Sequence, residues 1–201
     1  RFGGRRGGGD IAAISFHLYW MYNNPLVFIA GFAAMIFSML QCSYFIFYQV
    51  SFIKHTGKET VNRIMENVTN DDKVNQDKLT TFLQKIFMLI YGWQDKLFFS
   101  LDKYLLNKLT QNTLSIRGSE MRNPALAGQL TRLTQAWYQN KPFLTMASTL
   151  SIGSHIFLIC ISAVIGNFTY YIIVNLILMN LLLILSVVYH YKSTLNQLKN
   201  T

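Results

Sequence analysis

Charge is what this sequence has least of. Only 13% of its 201 residues are Asp, Glu, Lys or Arg, roughly half the share of an ordinary soluble domain, which excludes water as its only solvent. None of the four lies between Ile11 and Ile53 or between Phe143 and Tyr191, while residues 54–141 hold most of them. A helix needs roughly 20 apolar residues to cross a hydrocarbon core, and both charge-free stretches exceed that. Ion pumps, proton relays and voltage sensors work through ionisable groups inside the bilayer. Spans without Asp, Glu, Lys or Arg argue against a self-contained proton channel.

Catalytic patterns are missing as well. There is no Gly-rich phosphate loop after a strand, no metal-spaced cluster of His, Cys and Glu, and no nucleophile elbow. The opening "RFGGRRGGGD" has the glycines of a phosphate loop without its strand and helix context. Cys42 and Cys160 both sit in apolar runs, where a thiol behaves as a small hydrophobe rather than a reactive thiolate. The formal charge of +9 is scattered along the chain rather than gathered on a nucleic-acid module. Basic residues flanking apolar spans meet anionic phospholipid headgroups. The expectation is a membrane protein that is not an enzyme and has no cofactor, metal or nucleic acid of its own.

What is present is helical patterning. The run from Ile11 to Ile53 would measure roughly 64 Å as one helix at 1.5 Å per residue, about twice a hydrocarbon core. It must break, and "NNP" is where. Pro25 lacks a backbone donor and biases Asn24 away from helical torsions, while Asn23 and Asn24 favour turns and caps. This predicts a tail and a short interfacial segment over residues 1–24 and a first span over 25–53. The segment 11–22, with Phe16, His17, Tyr19, Trp20 and Tyr22, has the aromatic content of a headgroup-level helix.

The second charge-free region is long enough for two crossings, and "IGNFT" near its centre holds Gly166 and Asn167, residues suited to a helix C-cap and tight turn. This predicts a transmembrane helical hairpin over 142–191, followed by a C-terminal tail, 192–201. Between the spans, 54–141 reads as a polar extramembrane region. Within it an amphipathic helix over 79–109 keeps Phe82, Trp93, Leu97, Leu101, Tyr104 and Leu105 on one face, with Lys85, Asp95, Lys96, Asp102 and Lys103 between them. That helix is expected to lie on the bilayer or against a partner, with Gly92 as a bend. A competing reading sends 82–93 into the bilayer, against which Lys85 and the short run both count. The fold class is therefore all-α, with three transmembrane helices and amphipathic interfacial helices. Asn67 and Asn167 both stand in glycosylation sequons, the second too close to the bilayer to be a good acceptor.

Trp20, Lys54, Trp93, Lys141 and Lys192 are the expected headgroup or interface residues. Three crossings put the central region and the C-terminal tail on one side, the cytoplasmic or matrix side by positive charge. The Met-less, basic start fits either a cleaved organellar presequence or a Gly-rich tail, and a matrix-cleaved presequence would place Arg1 on the opposite side from that rule. Orientation stays open.

Inside the spans the candidates are few. His155 is the ionisable residue near mid-span and thus the candidate contact for a haem or quinone. The other reading is a histidine hydrogen-bonded to a neighbouring helix. His190 differs from it in depth by roughly 15 Å, so no bis-histidine pair forms within the chain. Ser151, Ser154 and Ser162 face Asn175 and Asn180 across the hairpin as interhelical hydrogen-bonding groups or, on the other reading, as the lining of a polar path. Ala30, Ala34, Ser38 and Cys42 recur every four residues on the first span, a small-residue stripe that lets another helix approach closely.

The Asn, Lys, Tyr and Phe-rich wording and the basic N-terminus resemble those of supernumerary inner-membrane subunits of mitochondrial respiratory or ATP synthase complexes from AT-rich protist genomes. That resemblance implies a structural subunit with other membrane subunits and anionic phospholipid as partners. "SFHLYWMYNNPL" in turn resembles the Ser-x-His-Leu-x-x-Tyr opening of succinate dehydrogenase membrane subunits, through Ser15, His17, Leu18 and a displaced Tyr. It implies a redox anchor. The chain departs from that family in lacking the Ser and Arg of its quinone site on the first span and its haem-ligand pattern on the second. A small stand-alone transporter is the third class that three spans allow.

Overall fold

The computed structural model describes residues 7–57, 78–117 and 124–199. The basic tail 1–6, the polar stretch 58–77 with its Asn67 sequon, and the last two residues of the C-terminal tail lie outside the described residues. Helices and short connections account for everything described, with no strand among these residues.

Helix α1 covers Gly7–Tyr22 and α2 covers Pro25–His55. The "NNP" break works as its chemistry requires. Asn23 sits in the left-handed region at φ 48° and returns its N–H to the Tyr19 carbonyl. Asn24 then caps α2, its Oδ1 accepting the Leu26 N–H at 2.9 Å, and Pro25 takes the first helical position, where no N–H is needed. Lys54 and His55 close α2 in its last turn, the favourable end for positive charge.

Helix α3 spans Lys78–Arg117 as one element that runs through Gly92, longer than the expected 79–109. Helix α4, Pro124–Tyr138, follows, within the stretch read from sequence only as polar and extramembrane. Helix α5, Lys141–Ala147, passes through a 3-10 turn at Ser148–Leu150 into α6, Ile152–Ile165. The expected single rod from residue 142 to 165 is thus interrupted at Ser151, whose backbone is extended. The "TMASTLS" run explains this. The hydroxyls of Thr145, Ser148 and Thr149 fold back onto carbonyls three or four residues earlier, competing with the helical ladder.

Helix α7 runs over Thr169–Lys199, with a π-helical turn at Asn175–Met179. The α6–α7 turn is built on Gly166, at φ 76°. The Gly166 N–H bonds to Ala163 and the Asn167 N–H to Ser162, a Schellman-type closure, and Asn167 Oδ1 caps the Thr169 N–H at 2.9 Å.

Among the described residues, three helices are long and apolar enough to cross a membrane: Pro25–His55, Thr131–Ile165 taken through its interruptions, and Thr169–Lys199. The chain is accordingly an all-helical protein with three candidate spans, the second starting before the expected residue 142. Residues 82–93 are not among them.

Two compact units divide the chain, one of residues 1–46 and 141–193, the other of 47–140 and 194–201. In the first, Ile11, Leu18, Ala34, Tyr171 and Ile172 form the core, with Ala30 packed beside it. The segment expected to lie flat at headgroup level instead folds back along α2. Tyr19 meets Phe28 edge-on at 6.0 Å, and Ser15 sits over Gly31 so closely that a Cβ there would meet its side chain. The small residues of α2 are the reason, since they leave the groove into which α1 settles. The second unit buries Phe47, Tyr48, Phe98, Leu109, Leu133 and Trp137.

Candidate functional site

Each unit encloses a cluster of polar side chains. In the first unit, Gln41 of α2 donates from Nε2 to Oδ1 of Asn180 at 3.1 Å and of Asn175 at 3.4 Å. Residues five apart diverge by about 140° on a regular α-helix. The π-turn takes up one extra residue and returns Asn175 and Asn180 to the same side. Asn180 Nδ2 in turn bonds to the Leu176 carbonyl at 3.0 Å and the Asn175 carbonyl at 3.4 Å, acceptors disturbed by that turn.

Asn175 Nδ2 donates to the Ala34 carbonyl at 3.1 Å and to Tyr171 Oη at 3.0 Å. Tyr171 Oη lies 3.2 Å from His155 Nδ1. That hydroxyl accepts from Asn175 and can either donate to Nδ1 or accept from it, according to the tautomer of the ring. His155 is 3% exposed and its Nε2 has no hydrogen-bond partner. The serines were expected to be the partners of Asn175 and Asn180, but the two amides reach α2 instead.

The second unit has a carboxylate at its centre. Asp102 of α3 is 3% exposed and accepts from Trp137 Nε1 at 2.7 Å and Tyr138 Oη at 2.5 Å, both on α4. The Tyr48 hydroxyl of α2 bonds to it as well. Burial raises the Asp102 pKa above its ordinary value, and the three hydrogen bonds and nearby His55 pull part of the way back. The His55 ring stacks on Tyr138 at 4.2 Å, its Nδ1 lies 2.8 Å from the Ser51 carbonyl, and its carbonyl accepts from Gln139 at 2.6 Å. One acid therefore ties three helices together through aromatic donors.

No protein-family model, no curated protein and no solved structure matches this chain.

The residues singled out from sequence fall as follows. Ala34 and Ser38 are buried, and Ala30 and Cys42 are half-buried, so part of the small-residue stripe is occupied by the chain's own α1 and α7. Trp20, Lys54, Trp93, Lys141 and Lys192 are all exposed. His155 is enclosed, and a ligand at its Nε2 would have to displace the side chains that cover it. His190 is stacked flat on Phe143 at 3.7 Å. No group of three His, Cys, Asp or Glu stands in metal-binding reach among the described residues.

Sequence reasoning missed Gln41, Tyr171 and Asp102. Gln41 alone had a visible signal, as an amide in mid-span. Asp102 was placed among the polar positions lying between those of the apolar face. It instead points inward with Phe98 and Leu109, while Trp93, Leu97 and Tyr104 of that apolar face point out.

Proposed function

We infer that this chain is a non-catalytic structural subunit of a multi-subunit membrane complex, acting in assembly, helix packing and lipid contact. The observation that carries the reading is the Gln41–Asn175–Asn180 amide set. Polar groups inside the apolar helices are turned on one another and on the Ala34 carbonyl, as a fastener between α2 and α7. Groups so engaged do not line a path. Outward, α6 and α7 present bulky apolar side chains such as Phe157, Val164 and Ile177, a surface for lipid or for neighbouring subunits. The composition and basic N-terminus support an energy-transducing complex of the mitochondrial inner membrane, of respiratory or ATP synthase type.

Mild solubilisation, a native gel and mass spectrometry of the co-migrating chains test this. Co-migration with other membrane subunits is expected. A stable monomer that supports solute flux in liposomes would overturn it in favour of a transporter.

One observation favours a second reading, the redox anchor: a buried imidazole nitrogen without a partner, His155 Nε2. An absorption spectrum of the purified complex with and without His155→Ala decides, because a haem band that survives the substitution unchanged removes this argument.

A further inference from the structure

We propose that the outward face of α3 is a binding surface for anionic phospholipid, seated at the boundary between headgroups and acyl chains. The proposal deepens the membrane-subunit reading, from which it needs only that the chain sits in a bilayer.

A helix that packs on its own unit normally turns apolar residues inward and polar ones out. Helix α3 does each only in part. Its inner side holds Gln94, Phe98, Asp102 and Leu109, all buried. Its outer side holds Phe82, Trp93, Leu97 and Tyr104, which are 59%, 45%, 48% and 62% exposed. These four are separated by about three, one and two helical turns, so they form one narrow stripe along the axis.

Charge is sorted around that stripe. Lys85, Lys96 and Lys103 are exposed and repeat at about three and two turns, a second line on one flank, while exposed Lys108 lies on the other. The acids are elsewhere: Asp102 is enclosed by Trp137 and Tyr138, and Asp95, two turns earlier, lies on the same side as Asp102. An aromatic stripe between lysines fits one kind of partner best. The rings take the interfacial level, where Trp and Tyr are enriched, and the lysine stems extend along apolar surface to put their ammonium groups on phosphates. A chain with three candidate spans of its own is tethered to a bilayer, so lipid is a partner at hand.

The test uses the full chain, with Cys42 and Cys160 replaced by Ser and one spin label at a time at Leu97→Cys, Tyr104→Cys or Lys103→Cys. It is reconstituted in phosphatidylcholine bilayers with and without phosphatidylglycerol. Labels at 97 and 104 are expected to be relaxed several-fold more by oxygen than by a water-soluble nickel chelate, with the reverse at 103. The oxygen preference should weaken without phosphatidylglycerol and in a Lys85, Lys96, Lys103 and Lys108→Gln background. Nickel access at 97 and 104 equal to that at 103 would mean that the face is in water and would sink the proposal. Labels shielded from both reagents would sink it too, in favour of a protein partner. An oxygen preference indifferent to phosphatidylglycerol would overturn the anionic specificity. Co-migration on a native gel of the same preparation is read separately, so failure here is distinct from failure of the subunit reading.

Discussion

The Trp137 indole N–H points at the buried carboxylate of Asp102 across 2.7 Å, joining α4 to α3. A carboxylate with aromatic donors on two sides is a strong fastener, because hydrogen bonds to ionised acceptors contribute about 1.5–3 kcal/mol each. Truncating Asp102→Ala leaves the Trp137 and Tyr138 donors buried and unpaired. The expected loss is about 2–5 kcal/mol, from donors left unsatisfied at about 1–3 kcal/mol each, read as a lower thermal midpoint in detergent and faster amide exchange in α3 and α4. Wild-type exchange rates in the variant would refute it.

Asp102 also makes a pH prediction. Burial raises its folded-state pKa above the ordinary 3.8, so the folded protein holds this proton more tightly than the unfolded chain does. The associated stability is present in full below 3.8 and is lost as pH rises through the elevated folded-state value. The difference in unfolding midpoint between the wild type and Asp102→Asn should therefore move in favour of the wild type as pH falls through that window. A difference independent of pH would show that the carboxyl titrates alike in both states.

Gln41 and Asn180 are expected to couple. Amide hydrogen bonds between membrane helices contribute about 0.6–2 kcal/mol, so Gln41→Ala and Asn180→Ala should each destabilise by about that amount and together by less than the sum. A double-mutant cycle on unfolding in mild detergent measures the coupling. Strict additivity would mean that the bridge contributes nothing.

Gly31→Ala sets two magnitudes against each other. In a helix interior the change favours folding by about 1 kcal/mol, whereas forcing volume into a packed contact costs about 1–3 kcal/mol. The added Cβ would lie 2.5 Å from the Ser15 Cβ, which is fixed to the backbone and cannot rotate away. Destabilisation should win, with faster amide exchange in α1, and Ser15→Gly should restore much of the loss. Unaltered exchange in α1 would contradict the close approach.

Gly166→Ala is a cleaner backbone test. Nothing lies within 4 Å of a Cβ there, so the left-handed φ of 76° alone sets the effect, about 1 kcal/mol. Gly166→Asn should lose less, since Asn tolerates that region.

Local chemistry was enough for the breaks at Pro25 and Gly166 and for the number of apolar spans, though not for the interruption at Ser151. Pro25 cannot sit inside a ladder, Gly166 can adopt a left-handed turn, and stretches without charge can only be apolar rods; each of these follows from neighbours in the chain. The partners of polar side chains followed no such rule. Gln41, Asn175 and Asn180 meet because a π-turn rotates α7 and because α2 packs against it. Ser15 lies on Gly31 because α1 folds back rather than spreading at a surface. Asp102 faces inward because Trp137, Tyr138 and Tyr48 converge on it from two other helices.

The sequence by itself determined that this is an all-helical chain with membrane-length rods, since burial of backbone and apolar surface is decided segment by segment. Only the tertiary structure decided which face of each rod turns inward. Helices apolar nearly all round carry no periodic mark of their inner side, and α3 carries two apolar faces at once. There the choice belongs to whichever side chains, brought from distant parts of the chain, satisfy one another's hydrogen bonds.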